Sequence, residues 1–488
     1  MTRFPRLARC YCDWELAAFI GCLLCVVSTG VEAATTNVRA YRIDATFQPS
    51  AQSMNAEVQV EFADPPGRDP TDRARELVFY LHDGLEVLSI KVGNRSVDFR
   101  QNKVPYDYNY TTKATRVVVP LDVSAAPVHD MTVSYAGTFS ASDARSPSDY
   151  MRIDADGVLL RSYGYSLWFP VFLEAGKESE PVTFPEVTIR VPEAFTPVFV
   201  GNRVADERTD GQRVSRWRAD GVDLFAAQLT ARRFVITSGG GIHLYHEDNE
   251  ASRKSANSIV DYVKRLHELY AAHYNPARRF EQVHVMEMPR YGDISSGNVV
   301  GISGDVWRQF ETNQWAKRAL AHEFVHPFVQ VPTKRSDPLF ALMIEGFPSY
   351  FHLPILAELE GEDFYDEFLN RIENSYLEKR KSGKDGRGNP LPPEKPLYDI
   401  KPDEVGLYKD VFVLGDRALL FFDFLRRQPE KANFSRFTRE LFAQANLDHA
   451  AFEALIRGHF ALSAEDLSVW LRSNEYPDRF HRKPGNRP

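Results

Sequence analysis

Two different periods run along this chain. From Val38 to about Val235 apolar and polar residues mostly alternate. "AEVQVEF", "ELVFYL", "TRVVVPLDV", "HDMTVSYAG" and "EVTIRV" are short, rich in β-branched and aromatic residues, and separated by Gly, Pro, Asp and Asn. Alternation sends successive side chains to opposite faces of a strand, so these segments predict an antiparallel β-sandwich. After the glycine run at 239–241 the period changes. Ile259, Val263, Leu266 and Leu269 recur every three to four residues, which predicts a long amphipathic helix and a second domain.

Further along, "EQVHVMEM" predicts a strand and 315–328 a helix. A second helix is expected over 338–360, with Asp337 as N-cap and Pro338 in its first position. The stretch "KRKSGKDGRGNPLPPEKP" (379–396) reads as a polar Gly/Pro loop, and helices then dominate to about Asn474. The expected organisation is a leader over 1–33, a saddle-like sandwich over 34–238, an α+β domain over 239–478 that is mostly helical from about residue 310, and a tail over 479–488.

The leader is an address rather than part of a core. Arg3, Arg6 and Arg9 precede the apolar run "LAAFIGCLLCVV", and "VEA" at 31–33 supplies small residues for a signal peptidase. This predicts cleavage near Ala33 or Ala34 and a periplasmic or secreted protein. Asp13 and Glu15 are atypical of such a start. An uncleaved anchor, or a lipoprotein through Cys22, is the competing reading, but a run of about a dozen apolar residues is short for a membrane span. No stable span is expected after cleavage. Cys10, Cys12, Cys22 and Cys25 are all in this segment. The mature chain would therefore have no disulfide, cysteine ligand or cysteine nucleophile.

Charge narrows the partners. With 59 Lys and Arg against 67 Asp and Glu, the 488-residue chain carries a formal charge of -8, and no basic cluster is large enough to track a phosphate backbone. Nucleic acid is excluded as an expected partner.

The candidate chemistry lies in "HEFVHPFVQVPTKRSDPLFALMIEGF". His322 and His326 are four apart, which puts both imidazoles on one helix face, close enough to share one Zn²⁺. Glu323 stands beside the first histidine, where it can act on a metal-held water. Glu345 follows on the next predicted helix. Two histidines and a carboxylate form a three-ligand set that leaves a fourth position open.

The spacing His-Glu-x-x-His, eighteen residues, then "EGFPSY" resembles the aminopeptidase N family of gluzincin metallopeptidases, in a short form without the long C-terminal helical domain. "YRIDATFQPSAQSMNAEVQVEF", "WFPVFLEAGKESEPVTFPEVTIRVPEAF" and "FVGNRV" are similar to the family's saddle-shaped sandwich, and "EDLSVWLRSNEYP" to the end of its helical subdomain. The resemblance implies a thermolysin-like catalytic domain, with His322, His326 and Glu345 on one zinc, Glu323 as general base and a peptide as substrate.

Three positions depart from the family pattern. The glutamate that reads a substrate's ammonium group falls on Gly297, with Asn298 and Gly301 matching the end of that stretch, and Asp293 is the candidate substitute. The tyrosine that donates to the oxyanion falls on Phe412, three residues before Gly415; Tyr408 is the candidate replacement. Removing one such donor typically slows catalysis about 10²- to 10³-fold. Pro327 follows a ligand directly and should kink or end its helix. Tyr350, Phe351 and His352 read as helix packing, Trp168 to Pro170 as packing at the sandwich edge, and Asn94, Asn109 and Asn433 as uninformative N-x-Ser/Thr triplets. Two functions compete: an exported zinc metallopeptidase, aminopeptidase-like, and a weak or inactive relative that serves as a zinc-stabilised binding or scaffold protein.

Overall fold

The computed structural model describes residues 37–63, 76–108, 111–121, 128–139, 151–161, 166–175, 180–288, 294–405, 413–428 and 431–482. The leader with its four cysteines, and Asn109, Asp293, Tyr408 and Phe412, lie outside them. No helix among the described residues is long and apolar enough to cross a membrane.

The first half is built from strands, as alternation dictates. In Val38–Gln48, for example, Tyr41, Ile43, Ala45 and Phe47 are buried while Arg42 and Asp44 are exposed. An eight-stranded sheet runs in the order Asn202–Thr209, Gln212–Val222, Val182–Pro192, Val38–Gln48, Ser53–Phe62, Asp130–Thr138, Leu85–Val92, Arg95–Ser96. One pairing departs from the expected antiparallel pattern: Val38–Gln48 runs parallel to Val182–Pro192, with Ile43 opposite Val187. A parallel pair needs a long connection, and here most of the sandwich forms that connection. Smaller sheets of three and four strands complete this half.

Trp168 and Phe169 occupy the middle of the sandwich rather than its edge. Both are fully buried. Phe169 meets Tyr41 edge-on at 5.1 Å and Trp168 reaches Phe199 at 6.3 Å, while the Tyr135 hydroxyl donates to the Trp168 carbonyl at 2.9 Å. The aromatic run is the plug between the sheets, each ring contributing roughly 1.5–3 kcal/mol by burial.

The second half starts from a five-stranded sheet in the order Val235–Gly239, Ile242–His246, Val283–Met288, Val299–Ser303, Ile294–Ser296. The glycine run is its first hairpin turn, and Gly240 and Gly241 supply the positive φ values of 58° and 83° that the turn needs. Helix α1 (Glu250–His273) is capped by Asn249, which accepts from Ser252 N at 2.9 Å, and it buries Ile259, Val263, Leu266 and Tyr270. Helices α2 (Gly304–Arg308) and α3 (Gln314–Val329) follow.

The helix expected over 338–360 starts later and irregularly. Asp337 does accept from Leu339 N at 2.8 Å, but it also holds His449, through N at 3.1 Å and Nδ1 at 3.0 Å. Helical structure begins at Phe340 and widens into a π-turn, Leu342–Gly346, before α4 (Phe347–Glu360) and α5 (Glu362–Ser382). A second π-turn, Val413–Arg417, leads into the helix Ala418–Arg426.

The two halves share a polar seam. Asn298 accepts from Gly201 N at 2.7 Å and donates to the carbonyls of Gly201 and Gln282, each at 2.8 Å. His284 reaches the same Gly201 carbonyl through Nε2 at 3.0 Å and takes the Tyr245 hydroxyl on Nδ1 at 3.0 Å. Burial pushes the His284 imidazole down to about 3, so it is neutral.

Candidate metal centre

One wall of the site is α3. Residues four apart on a helix share a face, so Arg318, His322 and His326 form one row. The His322 and His326 rings lie 5.1 Å apart at 86°. Pro327 does not end the helix: α3 continues to Val329, and Gln330 N still bonds the His326 carbonyl at 3.2 Å. The proline falls in the last turn, where its missing N–H removes only the bond to the Glu323 carbonyl. Its own carbonyl accepts from Arg278 at 2.8 Å.

The facing wall is the first π-turn, which brings Glu345 to the site. Its Oε2 is 3.8 Å from His322 Nε2, and Glu323 Oε1 is 3.9 Å from the same nitrogen. Ligand atoms of His322, Glu323 and His326 can all lie within 4.8 Å of one another. Two carboxylates thus stand at nearly equal range from one imidazole. Their supports tell them apart: Glu345 closes the site from the wall opposite the histidines, whereas Glu323 shares their helix.

The donor set fits a zinc ion. Tetrahedral ligands at about 2.1 Å are separated by about 3.4 Å, so the spacing of His322 and Glu345 is within a few tenths of an ångström of coordination. Nitrogen and oxygen donors in this mixture suit zinc, and there is no cysteine among the described residues. All these side chains are less than one-fifth exposed, partly dry but open to the cleft.

Packing behind the ligands brings in a residue that the sequence reading assigned to packing alone. His352 on α4 is fully buried, and its ring lies 5.4 Å from that of His322 at 82°. Nδ1 donates to the Pro348 carbonyl at 2.8 Å, which leaves the lone pair on Nε2. Nε2 is buried with no hydrogen-bond partner among the described residues. Desolvation, chiefly, and then the field of Arg318 hold this imidazole well below its usual value. Tyr350 and Phe351 do pack, against Phe422 and neighbouring rings. The sequence signal for His352 was its offset of seven from Glu345, two helical turns on the same face.

The second π-turn carries Gly415 and Asp416 to the cleft. Asp416 is buried, which raises its carboxyl, while Lys379 at 2.6 Å and the more distant Arg318 pull it back. Gly346 lets the first π-turn pack closely on the helix that follows the second: a Cβ there would lie 2.4 Å from Leu342 Cδ1 and 3.1 Å from Ala418 Cβ. Gly297 stands in the turn between Ile294–Ser296 and Val299–Ser303 at φ +56°, lining the cleft without a side chain. The cleft measures about 2240 Å³ and is shared by both halves of the molecule.

Comparison with solved structures settles the fold. An M1 zinc metallopeptidase of Deinococcus radiodurans, crystallised as a Glu-to-Ala mutant with a Tyr-Ser-Ala substrate, superposes with a TM-score of 0.64 over 91% of this chain and 96% of its own, at 17% identity. The chain has the M1 zinc metallopeptidase fold. A two-domain M1 mutant bound to L-arginine gives 0.63 over 91% of this chain and 95% of its own, at 17% identity. Native yeast LTA4 hydrolase gives 0.62 over 92% of this chain but 69% of its own, at 14% identity. No family model and no curated protein matches the sequence. Within this fold the antiparallel sheets come first and the helical part follows.

Proposed function

We propose that this protein is an exported zinc-dependent metallopeptidase, related in architecture to aminopeptidases. The observation that carries the reading is the grouping of His322, Glu323 and His326 ligand atoms within 4.8 Å of one another, with Glu345 Oε2 3.8 Å from His322 Nε2, inside a cleft wide enough for a peptide. The peptide ligand of the Deinococcus neighbour supports the substrate class, and the leader pattern supports export.

A bound zinc ion would supply a water acidic enough, with a pKa near about 7, to be hydroxide at neutral pH. His322, His326 and Glu345 would hold the ion. Glu323 Oε1, at the edge of the ligand set, accepts the proton and returns it to the leaving amine. A carboxylate in this place has no purpose in a site that only binds metal, and this favours an enzyme over a scaffold. The scaffold reading draws on Gly297, which offers no carboxylate to a substrate amine.

The test is Glu323→Gln in the full chain. Zinc should stay at one per molecule while peptide cleavage falls about 10²- to 10⁴-fold. Undiminished cleavage would remove Glu323 from the mechanism. Profiling peptides with free and blocked amino termini, with a chelator control, decides whether a free end is required, and any zinc-dependent turnover eliminates the scaffold.

A further inference from the structure

The charge on the cleft wall is opposite to that of the molecule. The chain as a whole is acidic, at -8. Among the described residues that line the cleft, nine are Lys or Arg and seven are Asp or Glu; two of the seven, Glu323 and Glu345, are those a divalent ion would balance. Nine cations then face five carboxylates.

The excess is concentrated where α3 ends, next to His326. Arg278 reaches this end directly through its bond to the Pro327 carbonyl, Arg279 follows it, and Lys334 stands on the segment leaving α3. None of these three forms an ion pair among the described residues, in contrast to Arg203, held by Asp206 at 3.1 Å, and Lys379, held by Asp416 at 2.6 Å. Arg279 and Lys334 are exposed, and Arg278 is partly buried without a carboxylate beside it. A helix C-terminus accounts for one cation at its carbonyls, but not for two more that touch none of them.

Resting on the peptidase reading, we infer that the cleft selects peptides that carry a carboxylate, read by the unneutralised wall of Arg278, Arg279 and Lys334 beside the His326 end of the metal helix. The same field disfavours a substrate ammonium group at that end, and Gly297 provides no countercharge. A cleft lined by one sign of charge between low-dielectric walls focuses that field on whatever enters it. The carboxylate has two sources, the peptide's C-terminus or an Asp or Glu side chain.

Binding is measured apart from turnover, using the full-length, zinc-loaded Glu323→Gln protein and calorimetry. The probes are one neutral hexapeptide with a free C-terminus, its C-terminal amide, and versions of each with a central Asp, Asn or Lys. Carboxylate-bearing peptides should bind roughly tenfold tighter than the Lys amide, with the gap closing at high salt. Arg279→Ser combined with Lys334→Ser, both at exposed positions, should bring the gap to within about twofold. If amidation erases the preference, the C-terminus is the group read; if Asp→Asn erases it, the side chain is. Equal affinities across the set, a gap that the double variant leaves intact, or no peptide bound at all would overturn the inference. Absence of cleavage by wild-type protein alongside an intact binding gap would instead overturn the peptidase reading alone.

Discussion

The two walls of the metal site are made in different ways. On α3 the proposed ligands follow from regular helix geometry: an offset of four places His322 and His326 on one face, and Pro327 falls in the last turn. The opposite wall consists of two π-turns, Leu342–Gly346 and Val413–Arg417; the first carries Glu345 and packs through Gly346 on Ala418, the start of the helix that follows the second. A regular helix tolerates much substitution outside its ligand row. A pair of widened turns fitted to each other should not, and π-turns are commonly found at functional sites.

The sharpest way to break this contrast is to remove the ligand from the irregular wall. In Glu345→Ala, zinc measured by metal analysis should fall from one per chain to roughly a tenth or less, since two histidines alone leave the ion underliganded. Full retention would mean that Glu323 had taken its place. His352→Leu comes next. It takes away the buried imidazole whose ring lies 5.4 Å from that of His322, and zinc should be released to a competing chelator about 10- to 100-fold more readily. His352→Gln, which keeps an acceptor, should lose less.

Gly346→Val tests the fit between the turns without touching a ligand. Its side chain would press on Leu342 and Ala418, and chemical denaturation should show a loss of about 1–3 kcal/mol. An exchange at an exposed position of α3, such as Gln314→Ala, should cost less. At neutral pH the smallest effect is expected away from both walls. His284 is neutral in the fold and has a pKa of about 3 there, below its unfolded value of about 6.5, so the unfolded chain binds more protons in this range. Its contribution to stability is present above about pH 6.5 and is lost as pH falls towards 3. Thermal melts from pH 7.5 to 4.5 should slope accordingly, and more gently in His284→Gln.

The regular wall could be read in the sequence and the irregular one could not, for a physical reason. Offsets of three, four and seven along a helix are a local property, so His322, Glu323 and His326, and the long helix through Ile259 and Leu266, stand out without coordinates. Strand alternation marked Tyr41 to Phe47 in the same way. A π-turn has no fixed pattern, since it depends on how segments far apart in sequence fit, here Gly346 against Ala418. For that reason the helix expected from Pro338 begins later, at Phe340, and the neighbourhood of Asp416 passed unnoticed. Burial of Trp168 and Phe169 was misread as an edge because hydrophobic residues show that they are inside, but not which sheets they lie between. That Arg279 and Lys334 form no ion pair among the described residues depends on every other charge near them, which no single stretch of sequence records.

The seam at Gly201 limits how the molecule can be divided. Asn298 uses both ends of its amide on it, and His284 adds a third bond to the same peptide group. A gene fragment starting at the first hairpin would keep every zinc ligand, yet leave this dry, hydrogen-bonding surface facing water. The metal-bearing half is therefore a poor candidate for transplantation by itself, and the sandwich is best regarded as the missing side of one shared core.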